Sequence, residues 1–238
     1  MNIFYKRFWK NTLLYFLIVA FIFYFHSSEY RWTEYLTKPL ALLFLFNYFI
    51  STGKNLQKGI KKGIVLGITF SILSDISFLL RIDVSNWFLG GTFIFSLLAI
   101  YSYAYAFQFT TKKRLPIEAI KSITSVNLFL SLLIIAFPIS IFIIEELELW
   151  QYPAILFQLL LWVLVSQGLK RQDHVNEESY YIVLSGIVLY SITTMLLTLQ
   201  NFTQNVFSFK DIPVITYFTS QYLIIIGAIF QNPNIEKE

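Results

Sequence analysis

GIVLGITFSILSDISFLL, residues 63 to 80, is the stretch whose reading decides the fold. As an α-helix these residues extend about 27 Å, close to the roughly 30 Å hydrocarbon core of a bilayer. The run is apolar on all sides rather than along a three-to-four stripe, so it reads as a membrane span and not as the core-facing helix of a soluble domain. Seven more blocks of the same kind lie around it, near Asn11 to Phe25, Thr37 to Ser51, Trp87 to Phe109, Ile123 to Ile144, Trp150 to Gln167, Tyr180 to Leu199 and Ile212 to Phe230. Eight spans are expected, the second being the shortest. Of the 238 residues 56% are hydrophobic and 13% charged, whereas a soluble domain carries about a quarter charged residues. Ten-residue apolar/polar alternation, the mark of an outer-membrane barrel, is missing. The expected architecture is therefore an all-α bundle of eight transmembrane helices forming one domain over residues 1 to 238.

Charge gives the orientation. The first block follows Lys6, Arg7 and Lys10 like a signal peptide, but no small-x-small cleavage site follows it and the helix is read as retained. The loops then fall into two sets. One holds Lys6, Arg7, Lys10, Lys54, Lys58, Lys61, Lys62, Lys112, Lys113, Arg114, Lys121, Lys170, Arg171 and Lys237, and the other only Arg31, Lys38, Arg81 and Lys210. The positive-inside rule puts both termini in the cytoplasm, which fits an even number of spans. Trp32, Trp87 and Trp150 fall near the outer ends, as an interfacial belt requires. A net charge of +4 distributed this way reflects topology and not nucleic-acid binding. The expected location is the inner membrane of a bacterium. With no cysteine and only His26 and His174, neither thiol chemistry nor a zinc site is indicated, and no cofactor is expected.

One carboxylate interrupts the deciding stretch. An ionisable group within a span costs about 2.5–3.5 kcal/mol on insertion scales, so Asp75 is expected to face the bundle interior, as a functional acid or as an inter-helix hydrogen-bonding group. Ser71 and Ser74 precede it, and with Gly67 they make a face of small residues that admits a neighbouring helix. Lys38 and Pro39 open the second block, where the lysine either snorkels to the interface or pairs with Asp75 or a lipid phosphate. Asn47, Asn127, Gln158 and Gln221 are mid-span amides, read as glue between helices. Tyr103 and Phe107 share one face of the fourth block, a candidate groove for a lipid tail. His26, at an outer helix end, is read as interfacial.

Several of these segments together resemble the YhhN family of eight-span membrane proteins, which includes the lysoplasmalogenases. Lys38-Pro39-Leu40 is similar to its Lys-Pro-Leu helix start, and Phe70-Ser-Ile-Leu-Ser-Asp75 to its Phe-Ser-x-x-Gly-Asp signature. Phe88-Leu-Gly-Gly91 with Phe95, then Tyr103-Ala-Tyr-Ala-Phe107, resembles the fourth-block pattern, and Tyr217-Phe-Thr-Ser-Gln221 its final one. The resemblance implies hydrolysis of the vinyl ether of a lysoplasmalogen. Such chemistry divides between a protonated and an ionised carboxyl, as in glycosidases. It also implies a site in which Asp75 is the remaining acid, Thr194 stands where the second Asp belongs, and Lys38, Ser71, Ser74, Tyr103 and Gln221 bind a lipid or lysophospholipid. The family's fourth-block histidine falls on Ile100, so this chain is read as a divergent hydrolase. The alternative is a non-enzymatic member that binds lipid or stabilises a membrane complex. A solute transporter is the weaker third reading, since no helix looks broken at mid-membrane. Blocks three and four run like blocks seven and eight, hinting at a parallel four-plus-four duplication.

Overall fold

The computed structural model describes residues 3–26, 31–83, 87–110, 151–172, 174–202 and 212–231. Their helices are α1 (Ile3–His26), α2 (Arg31–Thr52), α3 (Lys58–Asp83), α4 (Trp87–Gln108), α5 (Gln151–Leu169), α6 (Glu177–Phe202) and α7 (Ile212–Ile229), with a 3-10 turn at Gly53–Asn55. The fifth apolar block, Ile123 to Ile144, lies outside the described residues together with Asn127. Four of the seven helices are long and apolar enough to cross a membrane, with spans at Lys58–Leu80, Phe88–Gln108, Tyr152–Leu169 and Ile212–Ile229. Large apolar side chains such as Leu13, Leu17, Phe21, Ile94 and Leu159 are each more than half exposed. In water such a surface would drive aggregation, whereas lipid is its proper solvent.

Helix limits exceed the sequence expectation mostly at the ends, and α2 differs in kind. Lys38 and Pro39 do not open it, because the helix starts at Arg31 and carries Pro39 inside. A proline near the start of an apolar block reads as the first helical residue. Here it is the ninth of 22, leaving the Tyr35 carbonyl without its helical donor. Lys38 is consequently about 10 Å along the helix from Arg31 rather than at its mouth.

Glycine sets how closely α3 and α4 pack. A Cβ at Gly63 would lie 2.6 Å from the Ala106 side chain and 2.8 Å from its backbone nitrogen, and one at Gly67 would enter the Tyr103 ring. The expected small-residue face is real, and α4 occupies it. The α6–α7 pair meets in the same manner, with a Cβ at Gly186 falling 2.8 Å from the Ile224 nitrogen. Inside the bundle the helices share a core that includes Tyr15, Phe49, Tyr103, Phe107 and Phe218.

Candidate functional site: a cavity around Asp75

At one end of the bundle the helices separate around a cavity of about 180 Å³. Helical spacing decides who reaches it. From α3 come Ser71, Ser74, Asp75 and Phe78; from α4 Leu89, Thr92, Phe93 and Ser96; from α6 Tyr190, Thr193, Thr194 and Leu197. Pro213, Val214, Tyr217 and Phe218 of α7, Ala154 and Phe157 of α5 and Lys38 of α2 complete the lining. Each set repeats at three or four residues, one face per helix. Among the described residues Asp75 is the only acidic member of the lining, and no three His, Asp or Glu are grouped to share a metal.

The polar contacts grade from open to closed. The Asp75 carboxyl has Tyr217 as its hydrogen-bonding neighbour and Lys38 as its charge partner, while its Oδ2 is buried with no hydrogen-bond partner among the described residues. An unsatisfied buried carboxylate oxygen is expensive, and it belongs to a side chain that lines the cavity. Ser74 Oγ lies 2.7 Å from Ser96 Oγ and donates to the Thr92 carbonyl at 3.2 Å. Beneath them the Tyr103 hydroxyl donates to Gln221 Oε1 at 2.6 Å, and Gln221 Nε2 donates to Ser71 Oγ at 3.3 Å. The Tyr15 hydroxyl donates to the Phe218 carbonyl at 2.8 Å, tying α1 to the wall on α7.

Of the residues singled out in the sequence, Lys38, Ser71, Ser74, Asp75 and Thr194 all line the cavity. Tyr103 and Gln221 do not. Both are completely buried and form its floor through Ser71, and Phe107 is enclosed as well, so Tyr103 and Phe107 line no tail groove. Their shared helix face is a packing face, because Gly67 lets the Tyr103 ring lie against α3. Ile100, where a histidine was expected by resemblance, is buried in the core and not at the cavity. Asn47 is exposed, not inter-helix glue, and Gln158 is buried. Thr194 donates its hydroxyl to the Ser191 carbonyl at 2.8 Å, and Thr193 donates to Leu189 at 2.8 Å.

Tyr190, Tyr217 and Ser96 belong to the site; Tyr217 was quoted within the last motif, and Tyr190 and Ser96 were not singled out. Tyr190 precedes Thr194 by one turn and Tyr217 precedes Gln221 likewise, so the spacing to residues already suspected was the available signal.

All of the cavity lining, from Lys38 to Phe218, falls within the stretch matched by a known family: the profile of the YhhN family covers residues 33–228. The chain belongs to the YhhN family. Neither the search of curated proteins nor that of solved structures gives a match. Within this YhhN protein, Lys38 of α2, Asp75 of α3 and Tyr217 of α7 line one volume, and α1, which precedes the matched stretch, is tied to its wall through Tyr15. The chain is an integral membrane protein whose site opens among its apolar helices.

Proposed function

We propose that this YhhN protein is a lysoplasmalogenase-like membrane lipid hydrolase that cleaves a vinyl ether from a divergent site with one carboxyl. The observation that carries this reading is Asp75 Oδ2, a buried and unpartnered acid oxygen at an apolar cavity. In its acid form Asp75 gives a proton to the vinyl carbon nearer the chain, the double-bond electrons form the new C–H bond, and the ether oxygen stabilises the oxocarbenium ion. Water then adds to the cationic carbon as the Asp75 carboxylate takes its proton. The resulting hemiacetal collapses to a fatty aldehyde and the free glycerol hydroxyl. One carboxyl thus serves as acid and then as base, as the acid/base residue of a retaining glycosidase does. Tyr217 orients it and Lys38 offsets its charge.

The competing reading, a non-enzymatic lipid-binding or complex-stabilising protein, is favoured by Thr194. Its hydroxyl donates to the Ser191 carbonyl, and a threonine does not ionise at neutral pH. Purified protein in detergent, offered lysoplasmalogen while aldehyde is followed over time, separates the two. Turnover is expected, and Asp75→Asn should lower it by about 10²–10⁴ while the protein stays monodisperse. Undiminished turnover in the Asn variant removes Asp75 from the mechanism, and co-purifying lipid without turnover favours binding alone.

The proposal extends to one domain over residues 1 to 238 with eight spans, both termini in the cytoplasm of a bacterial inner membrane, and a four-plus-four duplication. The beginnings of α4 and of α5 both line the cavity, so α4 ends at one end of the bundle and α5 starts at the other. That parity supports one more crossing between them. The glycine-mediated contacts shared by α3–α4 and α6–α7 support the duplication.

A further inference from the structure

We infer that the cavity is also a carbonyl-capturing site, in which Lys38 forms a reversible imine with a long-chain aldehyde. The inference takes its ligand class from the proposed hydrolysis but stands on the juxtaposition of an amine and an acid across one apolar volume. Lys38 and Asp75 both line the cavity, from α2 and α3, and the carboxyl senses the ammonium charge. Yet Asp75 Oδ2 has no hydrogen-bond partner among the described residues, so Lys38 does not donate to that oxygen. Both groups therefore border the volume that a bound carbonyl would occupy. Around them Phe78, Phe93, Phe157 and Leu197 supply the apolar wall that an alkyl chain needs, and Ser74 and Ser96 supply hydroxyls for the carbonyl oxygen.

The chemistry balances with the groups present. The Asp75 carboxylate takes a proton from the Lys38 ammonium, and the freed amine adds its electron pair to the carbonyl carbon to give a carbinolamine. Asp75 returns that proton to the carbinolamine hydroxyl, which leaves as water while the nitrogen lone pair closes the C=N bond. An apolar pocket favours the neutral, nucleophilic amine that Schiff-base formation needs, and the neighbouring carboxyl serves as its proton carrier. Water entering the cavity reverses the sequence, so the aldehyde is held until it exits rather than consumed.

The test supplies the aldehyde directly, so it does not depend on vinyl-ether turnover. Purified full-length protein is mixed with dodecanal in the presence of cyanoborohydride, which delivers hydride to the imine carbon and leaves a stable secondary amine. Peptide mass analysis should find the added alkyl chain on Lys38 first, ahead of the exposed Lys54, Lys58 and Lys62. Asp75→Asn should slow labelling at Lys38 by about 10²-fold, the usual worth of acid–base assistance. Excess dodecanol, which fills the cavity but forms no imine, should slow labelling at Lys38 and leave the exposed lysines unaffected. Labelling of Lys38 at the same rate as the exposed lysines, or insensitive to dodecanol, overturns the inference. Hydrolysis without Lys38 labelling keeps the proposed function and discards this one, whereas Lys38 labelling without hydrolysis does the reverse.

Discussion

At the cavity end Asp75 and Lys38 face about 180 Å³ of open space among hydroxyls and aromatic rings, whereas at the opposite end Arg171 is enclosed completely. Arg171 follows α5, and its Nη2 donates to Ser179 Oγ at 2.9 Å and to Gln231 Oε1 at 3.4 Å. Its guanidinium lies 4.8 Å from the centre of the Phe107 ring on α4, and Ser179 in turn donates to the Gly227 carbonyl at 2.6 Å. Burial pushes the guanidinium down to about 9, still above neutral pH, so it remains a cation. Both ends of the bundle therefore bury charge, but one end leaves volume beside it and the other fills that volume with α4, α6 and α7. The glycines follow the same division. Gly63, toward the arginine end of α3, has Ala106 in the space a Cβ needs, while a Cβ at Gly90, at the cavity end of α4, would meet none of the described residues within 4 Å. Close packing holds the bundle together at one end, which frees the other to keep an open cavity.

The largest effect that would break this contrast is expected at Gly63. Gly63→Leu drives a branched side chain into the Ala106 backbone, which has no rotamer by which to move aside, and α3 and α4 must separate. Overpacking a core typically costs about 1–3 kcal/mol, and a clash with backbone belongs at or above the upper end. Loss of a monodisperse peak in size exclusion and a lowered unfolding temperature are the expected outcomes. A variant that unfolds like the parent would show that α3 and α4 are not held at this distance by glycine.

The packed end was the less legible of the two in the sequence. Apolar length alone was enough to find the seven described helices, and the burial cost of a carboxylate was enough to single out Asp75, because both arguments need only one element at a time. Lys38 lay within reach of the same argument, but Pro39 beside it looked like a helix start and pushed both residues to the membrane edge in that reading. Arg171 was read as one more cytoplasmic charge, since its partners Phe107 in α4, Ser179 in α6 and Gln231 just after α7 lie far apart in the chain and no local spacing links them. Tyr103 misled for a related reason. Its face is apolar whether it meets a lipid tail or Gly67, and only the position of α3 distinguishes the two.

A smaller effect, at Arg171, sharpens what the closed end contributes. Arg171→Ala removes the ring contact, two hydrogen bonds and the aliphatic stem, leaving a hole, and truncations of that size cost about 2–5 kcal/mol. Arg171→Met refills most of the hole without a charge to desolvate, and Ser179 keeps its bond to the Gly227 carbonyl. Thermal unfolding in detergent should therefore show a clear drop for the alanine variant and recovery of most of it by methionine, with aldehyde release unchanged in both wherever the protein is folded. If methionine is as damaging as alanine, the charge itself matters and the arginine has an anionic counterpart.

The smallest effect is expected at Gly90, and it tests the open end without touching its polar groups. Gly90 lies inside α4, where glycine costs backbone entropy, and the space its Cβ would take is empty. Gly90→Ala should therefore stabilise the protein by up to about 1 kcal/mol, the ordinary difference between the two residues within a helix. Its sign is opposite to that at Gly63 although both residues are helical glycines, and surroundings alone account for the reversal. Gly90 is not part of the cavity lining, so turnover and dodecanal labelling should stay at their parental levels. A raised unfolding temperature with both activities intact would mean that the open end tolerates added volume away from the cavity. A destabilised variant would instead show that the space beside Gly90 is occupied in the membrane, and the division between a loose end and a packed end would have to be redrawn.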